Sequence, residues 1–402
     1  MSDSIYRLRA FDVLTLLVLA LLAVGVIMVQ SASTGVSGHF GFRLTDLGQK
    51  QLLFAVIGVG IYFVCSRVDY ARLLPRRASP WACVPLWLLV IAGVACAAVL
   101  VPHVGIERNG ARRWLPLGVT TFQPSELAKW AVVVFLAWAL THRPLDVSKF
   151  RNLLLILVPV CGMCLLVVIQ DFGTAALIAV VALSMLLAGR VKLWHLGVIV
   201  PPAMAAGFWF VRHKEYRWRR MIAFLNPYAA PQGEGYHMIQ SLLSYATGGT
   251  SGTGLGGGIQ KLGYLPEDTT DFIFSTLCEE TGLLGACCVI GLYLLVLVVA
   301  WQAIRPARDG FGRLLAFGIA AMVGTQAMIN IAVATVSVPT KGLSLPLISA
   351  GGSGLVITCA AMGVLASVMR HVHPEDQVPL PAKTGRPTKT VDESMWSSWT
   401  TA

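Results

Sequence analysis

Long apolar runs alternate with short polar segments along most of the chain. The runs are about 17–25 residues long, which is the length that an α-helix needs to cross roughly 30 Å of hydrocarbon. The fifth and sixth runs almost touch, so a count of nine helices, with the C-terminus on the other side, is the alternative to ten. The pattern predicts ten spans at about residues 12–31, 50–66, 81–101, 125–141, 152–169, 172–190, 193–211, 279–301, 313–335 and 350–369.

Composition strengthens the membrane interpretation. Hydrophobic residues make up 56% of the chain, charged residues 13%, and the mean hydropathy is +0.70. Core burial in a soluble domain cannot hide so much apolar surface, so a lipid bilayer is the expected solvent. The first run begins at Asp12 and has no small-residue cleavage site, which favours a retained helix over a removed signal peptide. We therefore predict an all-α polytopic membrane protein with about ten transmembrane helices.

The spans form one predicted membrane domain over residues 1–372. Residues 373–402 are rich in Pro, Thr and Ser, cannot build a core and are predicted to form a disordered tail. Lys and Arg favour the connections on the N-terminal side of the membrane, which places both termini in the cytoplasm. One large loop between the seventh and eighth helices, at about residues 212–278, is then extracytoplasmic. A connection of that length usually signals function.

Two basic groups depart from this charge bias. Arg112 and Arg113 lie in the loop after the third span, and a dense run of cations at 212–220 opens the large loop. Anchoring at the membrane interface by long side chains is one explanation. An anion site, such as one for phosphate, is the other.

Acidic residues gather in the segment YLPEDTTDFIFSTLCEETG at 264–282. Asp271 comes directly before an apolar run, where partial desolvation raises the pKa of a carboxyl and suits it to general-base work. The alternative is that Asp271 caps a helix. Glu279 and Glu280 fall at the start of a predicted span, where an acid must face protein or water. We expect them to pair with the basic residues of 212–220.

Two further polar segments interrupt apolar runs. Glu126 and Lys129 are three residues apart on one predicted helix face and can pair there, as a structural ion pair or as part of a functional site. Residues 338–354 carry two prolines and several glycines, and such broken backbone is tolerated where it is buried in protein or lines a cavity. Lys341 and Ser349 of that segment could offer donors to an anionic head group. No residue spacing indicates a metal site.

Four segments resemble the signature segments of the SEDS family of proteins for shape, elongation, division and sporulation. They read RRWLPLG…FQPSELAK, GYHMIQSLLSYATGG, QKLGYLPEDTTDFIFSTLCEETG and PTKGLSLPLISAGGSG. They occur in the family's order, and the resemblance as a whole covers the membrane domain from the first helix to the tenth. The third and fourth are more similar to division-type and sporulation-type members than to elongation-type members.

The resemblance implies a ten-helix glycosyltransferase of the bacterial inner membrane that polymerises lipid II into peptidoglycan, with division-type members working at the septum. Implied partners are a class B penicillin-binding protein, other division proteins and membrane lipid; no nucleic-acid partner is expected. The family's essential loop aspartate falls on Asp271. Its polar cavity residues fall on Gln123, Ser125, Glu126 and Lys129. The other candidate substrate contacts in this sequence are Arg112, Arg113, His237, Lys341 and Ser349.

The resemblance also implies a mechanism. Asp271 would take a proton from a sugar hydroxyl that attacks the anomeric carbon of a second substrate, in a direct inversion analogous to that of single-displacement glycosidases. The leaving undecaprenyl pyrophosphate would be neutralised by Arg112, Arg113, the 212–220 cations, Lys129 or a divalent cation such as Mg²⁺ or Mn²⁺. No covalently bound cofactor is expected.

Two departures from the family pattern stand near these residues. Thr269 replaces a usual histidine, with the extra acid Asp268 before it, which weakens any role of that histidine and affects pH or metal dependence. The family's proline after the fifth span is absent between Gln170 and Asp171, which alters a helix entry more than the chemistry. An elongation-type polymerase, a lipid II flippase and a scaffold for a penicillin-binding protein stay open as alternatives.

Overall fold

A computed structural model describes residues 9–34, 45–74, 83–108, 111–117, 120–142, 146–213, 215–305 and 307–371. This part of the chain is mainly helical. Its helices in chain order are α1 (Ala10–Ala32), α2 (Asp46–Arg67), α3 (Val84–Leu100), α4 (Pro124–Thr141), α5 (Phe150–Gln170), α6 (Phe172–Ala188), α7 (Leu193–Arg212), α8 (Glu215–Leu225), α9 (Tyr236–Gly248), α10 (Ile273–Ile304), α11 (Gly310–Ala334) and α12 (Gly352–Arg370). The tail predicted at 373–402 lies outside the described residues.

Each predicted span coincides with a helix. Within the described residues, eight helices are long and apolar enough to cross a membrane, and α3 and α6 are apolar helices of 17 residues each, or about 25 Å at 1.5 Å per residue. The polytopic helical fold is therefore confirmed. The helical segment α10 begins at Ile273 rather than near residue 279, because the apolar residues before the glutamates are already helical, and it is broken at Gly282, where φ is 67° and ψ is −166°.

The close approach of the fifth and sixth spans is a real helix break at Asp171. Its backbone is extended, with φ −148° and ψ 104°. Its carboxylate accepts hydrogen bonds from the Gly173 amide and the Thr174 hydroxyl, both at 2.8 Å, and so caps α6. The helices α5 and α6 pack against each other. The count of ten is confirmed over nine, and the turn forms without the family's proline because Asp171 supplies the cap.

The connections contain more structure than the sequence indicates. The large loop includes the short helices α8 and α9, and three antiparallel strands lie between α3 and α4 in the order β1-β2-β3. The strands are β1 (Ile106–Arg108), β2 (Ala111–Leu117) and β3 (Thr120–Phe122). Successive side chains of a strand point to opposite faces, so β2 directs Arg112 and Arg113 to different surroundings.

Residues 338–351, called the broken segment below, connect α11 to α12 without regular structure and are buried in the protein. Leu343, Leu345 and Ile348 are each at most 3% exposed. Side chains satisfy its carbonyl groups: the Gln326 amide donates to Ser344 O at 2.8 Å, and the Tyr293 hydroxyl donates to Pro346 O. The prediction of broken backbone buried in protein is confirmed, because neighbouring helices replace the missing helical hydrogen bonds.

Candidate active site

The loop that carries Asp271 is fixed by its main chain. Three donors bind three successive carbonyl groups just before α10, and two of them belong to the end of the broken segment. The Ala350 amide donates to Thr269 O at 2.9 Å, the Ser349 hydroxyl to Thr270 O at 2.6 Å, and the Asn330 amide to Asp271 O at 2.8 Å.

The carboxylate of Asp271 is half-buried and has no hydrogen bond or ion pair within the described part of the chain. Its Oδ2 lies against Gly342, where a Cβ would approach it to 2.9 Å, with Arg113 Nη1 at 3.9 Å from the same point. The N-cap of α10 is Phe272, and it has no side-chain cap. Asp271 is therefore not a helix cap, and its carboxylate remains available for chemistry.

Burial raises the pKa of Asp271 to about 7. The acids Glu267 and Asp171 push the pKa in the same direction, and the cations Arg113 and Arg220 oppose them. A carboxyl that titrates near neutral pH is ionised often enough to accept a proton and basic enough to hold it. This matches the environment that the sequence predicts for Asp271 at the start of an apolar run.

Three cations converge on Asp171 and Phe172 next to the Asp271 loop, and we call Arg113, Arg217 and Lys341 the cation cluster. Arg113 Nη1 lies 3.8 Å from Asp171 Oδ2. The Lys341 ammonium lies 5.0 Å from the centre of the Phe172 ring. The Arg217 guanidinium lies 5.6 Å from the same ring. Arg217 also lies 4.3 Å from the centre of the Phe210 ring. Two phenyl rings and the Asp171 carboxylate thus face the three cations, which leaves a local surplus of positive charge.

Donors in the cation cluster are unused. The Nη1 of Arg217 is buried without a hydrogen-bond partner in the described structure. Lys341 has neither a hydrogen bond nor an ion pair among the described residues, and burial lowers its pKa against the opposing pull of Asp171. Buried polar groups are normally satisfied. These free donors therefore fit an anion with several oxygens, such as a diphosphate.

The other cations of 212–220 are bound elsewhere. Arg219 pairs with Glu215 on the exposed side of α8. Arg220 pairs with Glu234 at 3.3 Å. Arg212 stacks over the ring of Trp218, with 4.7 Å from guanidinium carbon to ring centre. Lys214 lies outside the described residues, so among the described cations of 212–220 it is Arg217 that joins the cation cluster.

The residues predicted on α4 form a polar group beneath the broken segment. Lys129 is fully buried and lies 2.8 Å from both Glu126 Oε2 and Gln326 Oε1. The predicted pair is confirmed. Gln123 donates to Ser125 at 3.1 Å at the start of the same helix. Since Gln326 also binds the broken segment, this group supports that segment, and its contact with substrate stays a prediction.

Three other predicted contacts differ in placement. The His237 ring stacks on the Phe272 ring, with ring centres 5.9 Å apart. Burial and the nearby Arg220 lower the pKa of His237. The Nδ1 atom of His237 has no hydrogen-bond partner in the described structure. Arg112 forms an exposed pair with Glu107 at 3.3 Å and is not brought into the cluster. Ser349 uses its proton on Thr270 O and accepts from Leu345 N, so no donor remains for a head group.

The expected partners of Glu279 and Glu280 were wrong. Glu280 accepts from Lys261 Nζ at 2.7 Å and from Ser31 at 2.6 Å. Glu279 accepts from the main-chain amide of Ile259 at 2.8 Å. Both acids therefore form hydrogen bonds to the glycine-rich part of the large loop rather than to the cations of 212–220, because the loop folds back onto the start of α10.

Sequence reasoning missed Asn330 and did not single out Arg217. A polar residue inside an apolar span is a functional candidate by default, and this signal identifies Asn330 on α11. Across the described residues, no group of three or more His, Cys, Asp or Glu side chains could hold a metal ion.

Fold and site define an integral membrane protein whose half-buried carboxylate lies next to a group of cations with unused donors, at one end of a helical bundle. The sequence matches the FtsW/RodA/SpoVE family of cell cycle proteins over residues 12–373. The chain therefore belongs to this family, as its signature segments predict.

Relatives and solved structures agree. The probable peptidoglycan glycosyltransferase FtsW of Geobacter sulfurreducens is 37% identical in sequence, over 91% of this chain and 96% of the relative. The probable peptidoglycan glycosyltransferase FtsW of Trichlorobacter lovleyi is 38% identical, over 90% of this chain and 94% of the relative. A chain from a peptidoglycan synthase complex that coordinates polymerization and crosslinking superposes with a TM-score of 0.70, at 29% identity over 91% and 98% of the two chains. The rod shape determining protein RodA of Thermus thermophilus superposes with a TM-score of 0.63, at 28% sequence identity, over 90% of this chain and 96% of the RodA chain.

Proposed function

We propose that this protein is a peptidoglycan glycosyltransferase that polymerises lipid II into glycan strands, and that it is of the division type. The observation that carries the proposal is the desolvated, unpaired carboxylate of Asp271 beside the cation cluster. The two sequence relatives compared above are both named FtsW, which supports the division type.

The proposed reaction is a single displacement at an anomeric carbon. Asp271 takes the proton from the sugar hydroxyl of one lipid-linked substrate while that oxygen forms a bond to the anomeric carbon of the other. The bond from this carbon to the diphosphate oxygen breaks, and undecaprenyl pyrophosphate leaves with the electron pair. Arg113, Arg217 and Lys341 stabilise the charge that develops on the leaving oxygens. One base without a second nucleophilic carboxylate predicts inversion at that carbon.

A divalent cation such as Mg²⁺ or Mn²⁺ would add to this neutralisation. Mg²⁺ is commonly held by one or two carboxylates together with substrate phosphate oxygens, and Asp171 and Asp271 would be the carboxylates that hold it here. The protein's own cations are the groups to which we assign the neutralisation first, because the cation cluster has unused donors in the described structure.

The proposal extends to location and partners. Lys and Arg distribution supports cytoplasmic termini, which puts Asp271 on the outer face of the inner membrane, where lipid-linked precursors are polymerised. A class B penicillin-binding protein is the proposed partner, and work at the septum follows from the division type. The similar chain from a peptidoglycan synthase complex supports a partner that crosslinks the product.

Flippase and scaffold functions are less well supported by the site. A flippase needs a polar path open in turn to both sides, whereas the polar group of Lys129 and Glu126 is buried and closed by an ion pair at 2.8 Å. A scaffold has no use for an unpaired carboxylate that is costly to bury. The site therefore favours an enzyme.

The test is polymerisation of labelled lipid II by the purified protein, alone and with its class B partner, with products resolved on a gel. Wild type should give long glycan. Asp271→Ala and the isosteric Asp271→Asn should each lose about 100-fold or more in rate, since a positioned general base contributes about that much, while their melting temperatures stay near wild type. Equal product from wild type and variants would remove Asp271 as the base. No product from any of them, with partner and Mg²⁺ present, would favour the flippase or scaffold instead.

A further inference from the structure

Asn330 lies near the end of α11 and is 1% exposed. Its amide nitrogen donates to two main-chain carbonyl groups, Asp271 O at 2.8 Å and Leu343 O at 2.7 Å. A carboxamide nitrogen carries two hydrogens, so both are used. One side chain thus binds the loop of the candidate base and the broken segment at the same time.

The two segments that Asn330 joins each carry one group of the proposed reaction, the base on one and a cation for the leaving group on the other. Asp271 is the base, and the broken segment supplies Lys341 of the cation cluster. Gly342, between Lys341 and Leu343, lies directly against the Asp271 carboxylate. The two N–H bonds of a planar amide diverge at a fixed angle, so the two carbonyls they bind are kept at a fixed separation.

The rest of the loop does not depend on Asn330. The Ser349 hydroxyl and the Ala350 amide bind the carbonyl groups of Thr270 and Thr269. Without Asn330 the loop would remain docked, and the direction of Asp271 relative to Lys341 would become loose. The loss should therefore appear in the chemical step, together with a moderate loss of stability from the two carbonyl groups that lose their donor.

The amide of Asn330 satisfies two buried carbonyl groups, while its own Oδ1 is buried without a partner in the described structure. An apolar side chain of similar size would remove the unsatisfied oxygen but would leave both carbonyl groups without this donor, so it should also lower stability. The positioning role is therefore tested by kcat and by the geometry of the two segments rather than by the melting temperature.

We propose that Asn330 is a positioning residue that sets the separation between the base Asp271 and the cation Lys341. The proposal rests on the proposed function, because the value of that separation lies in the glycosyl transfer. Asn330 itself touches no substrate in this scheme. It acts through the main chain on both sides of the reacting atoms.

The kinetic test compares Asn330→Leu and Asn330→Asp with wild type in the lipid II assay, using full-length protein with its partner. Leu removes both donors and Asp replaces the amide by an acceptor, so each should lower kcat by about 100-fold, as expected for a displaced catalytic group. KM should stay within about threefold, because substrate contacts are intact. Gln51→Leu is the matched control: Gln51 is 3% exposed and donates to Ile348 O and Ser349 O of the same broken segment, but not to the Asp271 loop.

A second test needs no activity. Asp271→Cys with Gly342→Cys places two thiols where a Cβ at 342 already lies 2.9 Å from the Asp271 carboxylate, which is within reach of a disulfide. Mild oxidation, followed by peptide mapping of the 271–342 disulfide, should trap the pair readily, and N330L should slow trapping by about tenfold as the separation becomes variable.

The outcomes separate the positioning role from the proposed function. Equal trapping rates with and without N330L, or an N330L kcat within about twofold of wild type, would overturn the positioning role. So would an equal loss of kcat in Q51L. If wild type polymerises no lipid II, the proposed function fails, and the trapping rates alone decide whether Asn330 fixes the separation.

Discussion

Two groups of acids lie within one short stretch of the chain, and their surroundings are opposite. At the start of α10, Glu280 accepts hydrogen bonds from Lys261 and Ser31, and Glu279 accepts from main-chain amides. Both are at most 1% exposed. At the loop before α10, Asp271 is half-buried with no bound donor in the described structure. We call Glu279, Glu280 and Lys261 the closed group, because their charges are bound within the protein. We call Asp271 and the cation cluster the open group, because donors and acceptors there are unused in the described structure.

The same contrast applies to the cations. Lys261 is bound to an acid at 2.7 Å, whereas Lys341 rests on the Phe172 ring without an acceptor in the described structure. A buried charge is costly unless it is paired and hydrogen-bonded. Charges in the closed group therefore serve the fold. Charges in the open group are stabilised fully only when something else binds, and this supports the proposal that the open group is the functional site.

The largest effect is expected from breaking the closed group. Lys261→Met leaves the Glu280 carboxylate buried without its cation, which should lower the free energy of unfolding by about 3–5 kcal/mol. Thermal unfolding of the detergent-purified protein measures this. The double variant Lys261→Met/Glu280→Gln should recover much of the loss, because it removes the unpaired charge. If the single variant unfolds like wild type, the pair is not the structural element described here.

In the open group, removal of one cation should affect activity rather than folding. Arg217→Met should reduce kcat/KM by about 100-fold, comparable to the loss of one donor to a developing oxyanion, with little change in melting temperature. Arg219→Met is the matched control, two residues further along α8, where the guanidinium pairs with Glu215 on the surface. The control should stay within about twofold of wild type.

Equal losses in Arg217→Met and Arg219→Met would mean that α8 acts through its overall charge at the membrane surface. The cation cluster would then lose its role in binding the leaving group. A rise of KM for lipid II with unchanged kcat would instead assign Arg217 to the binding of substrate and transition state alike. The difference between the open and the closed group would still hold after this result, but Arg217 would then act in binding rather than in the chemical step alone.

The sequence predicts local geometry well. The pair of Glu126 and Lys129 follows from spacing on one helix face, and the broken segment follows from its prolines and glycines. The environment of Asp271 follows from its place before an apolar run. Each of these depends on residues close together in the chain, where helix period and backbone preference decide the contacts.

Partners distant in the chain could not be predicted in the same way. Glu280 pairs with Lys261 because a loop with several glycines at positive φ, such as Gly252 and Gly254, folds back onto α10. Residues with that freedom permit many paths, so the sequence does not favour Lys261 over the cations of 212–220. Arg217 joins the cation cluster for a similar reason, since the helix α8 has to be placed before its inward face is known.

The smallest expected effect separates two carboxyls whose titration is alike. Burial raises the pKa of Asp268 to about 7, as it does for Asp271. A base works only when ionised, so kcat/KM should rise about tenfold per pH unit below 7 and level off above it. A pH profile alone cannot tell which acid is responsible.

Asp268→Ala makes that distinction, because the groups that face Asp268 are Glu267 and Lys261, while those that face Asp271 include Asp171 and Arg113. The variant should keep activity within about threefold and leave the midpoint of the profile unchanged. Relative to wild type, the variant should become more stable as pH rises from about 4 to 7. In wild type the raised pKa of Asp268 means that the folded protein holds a proton that the unfolded chain has lost, so the folded state loses stability over this range, and the variant lacks that contribution. A loss of about 100-fold or more in Asp268→Ala, at unchanged melting temperature, would move the base from Asp271 to Asp268, and the open group would then extend into the loop that Lys261 closes.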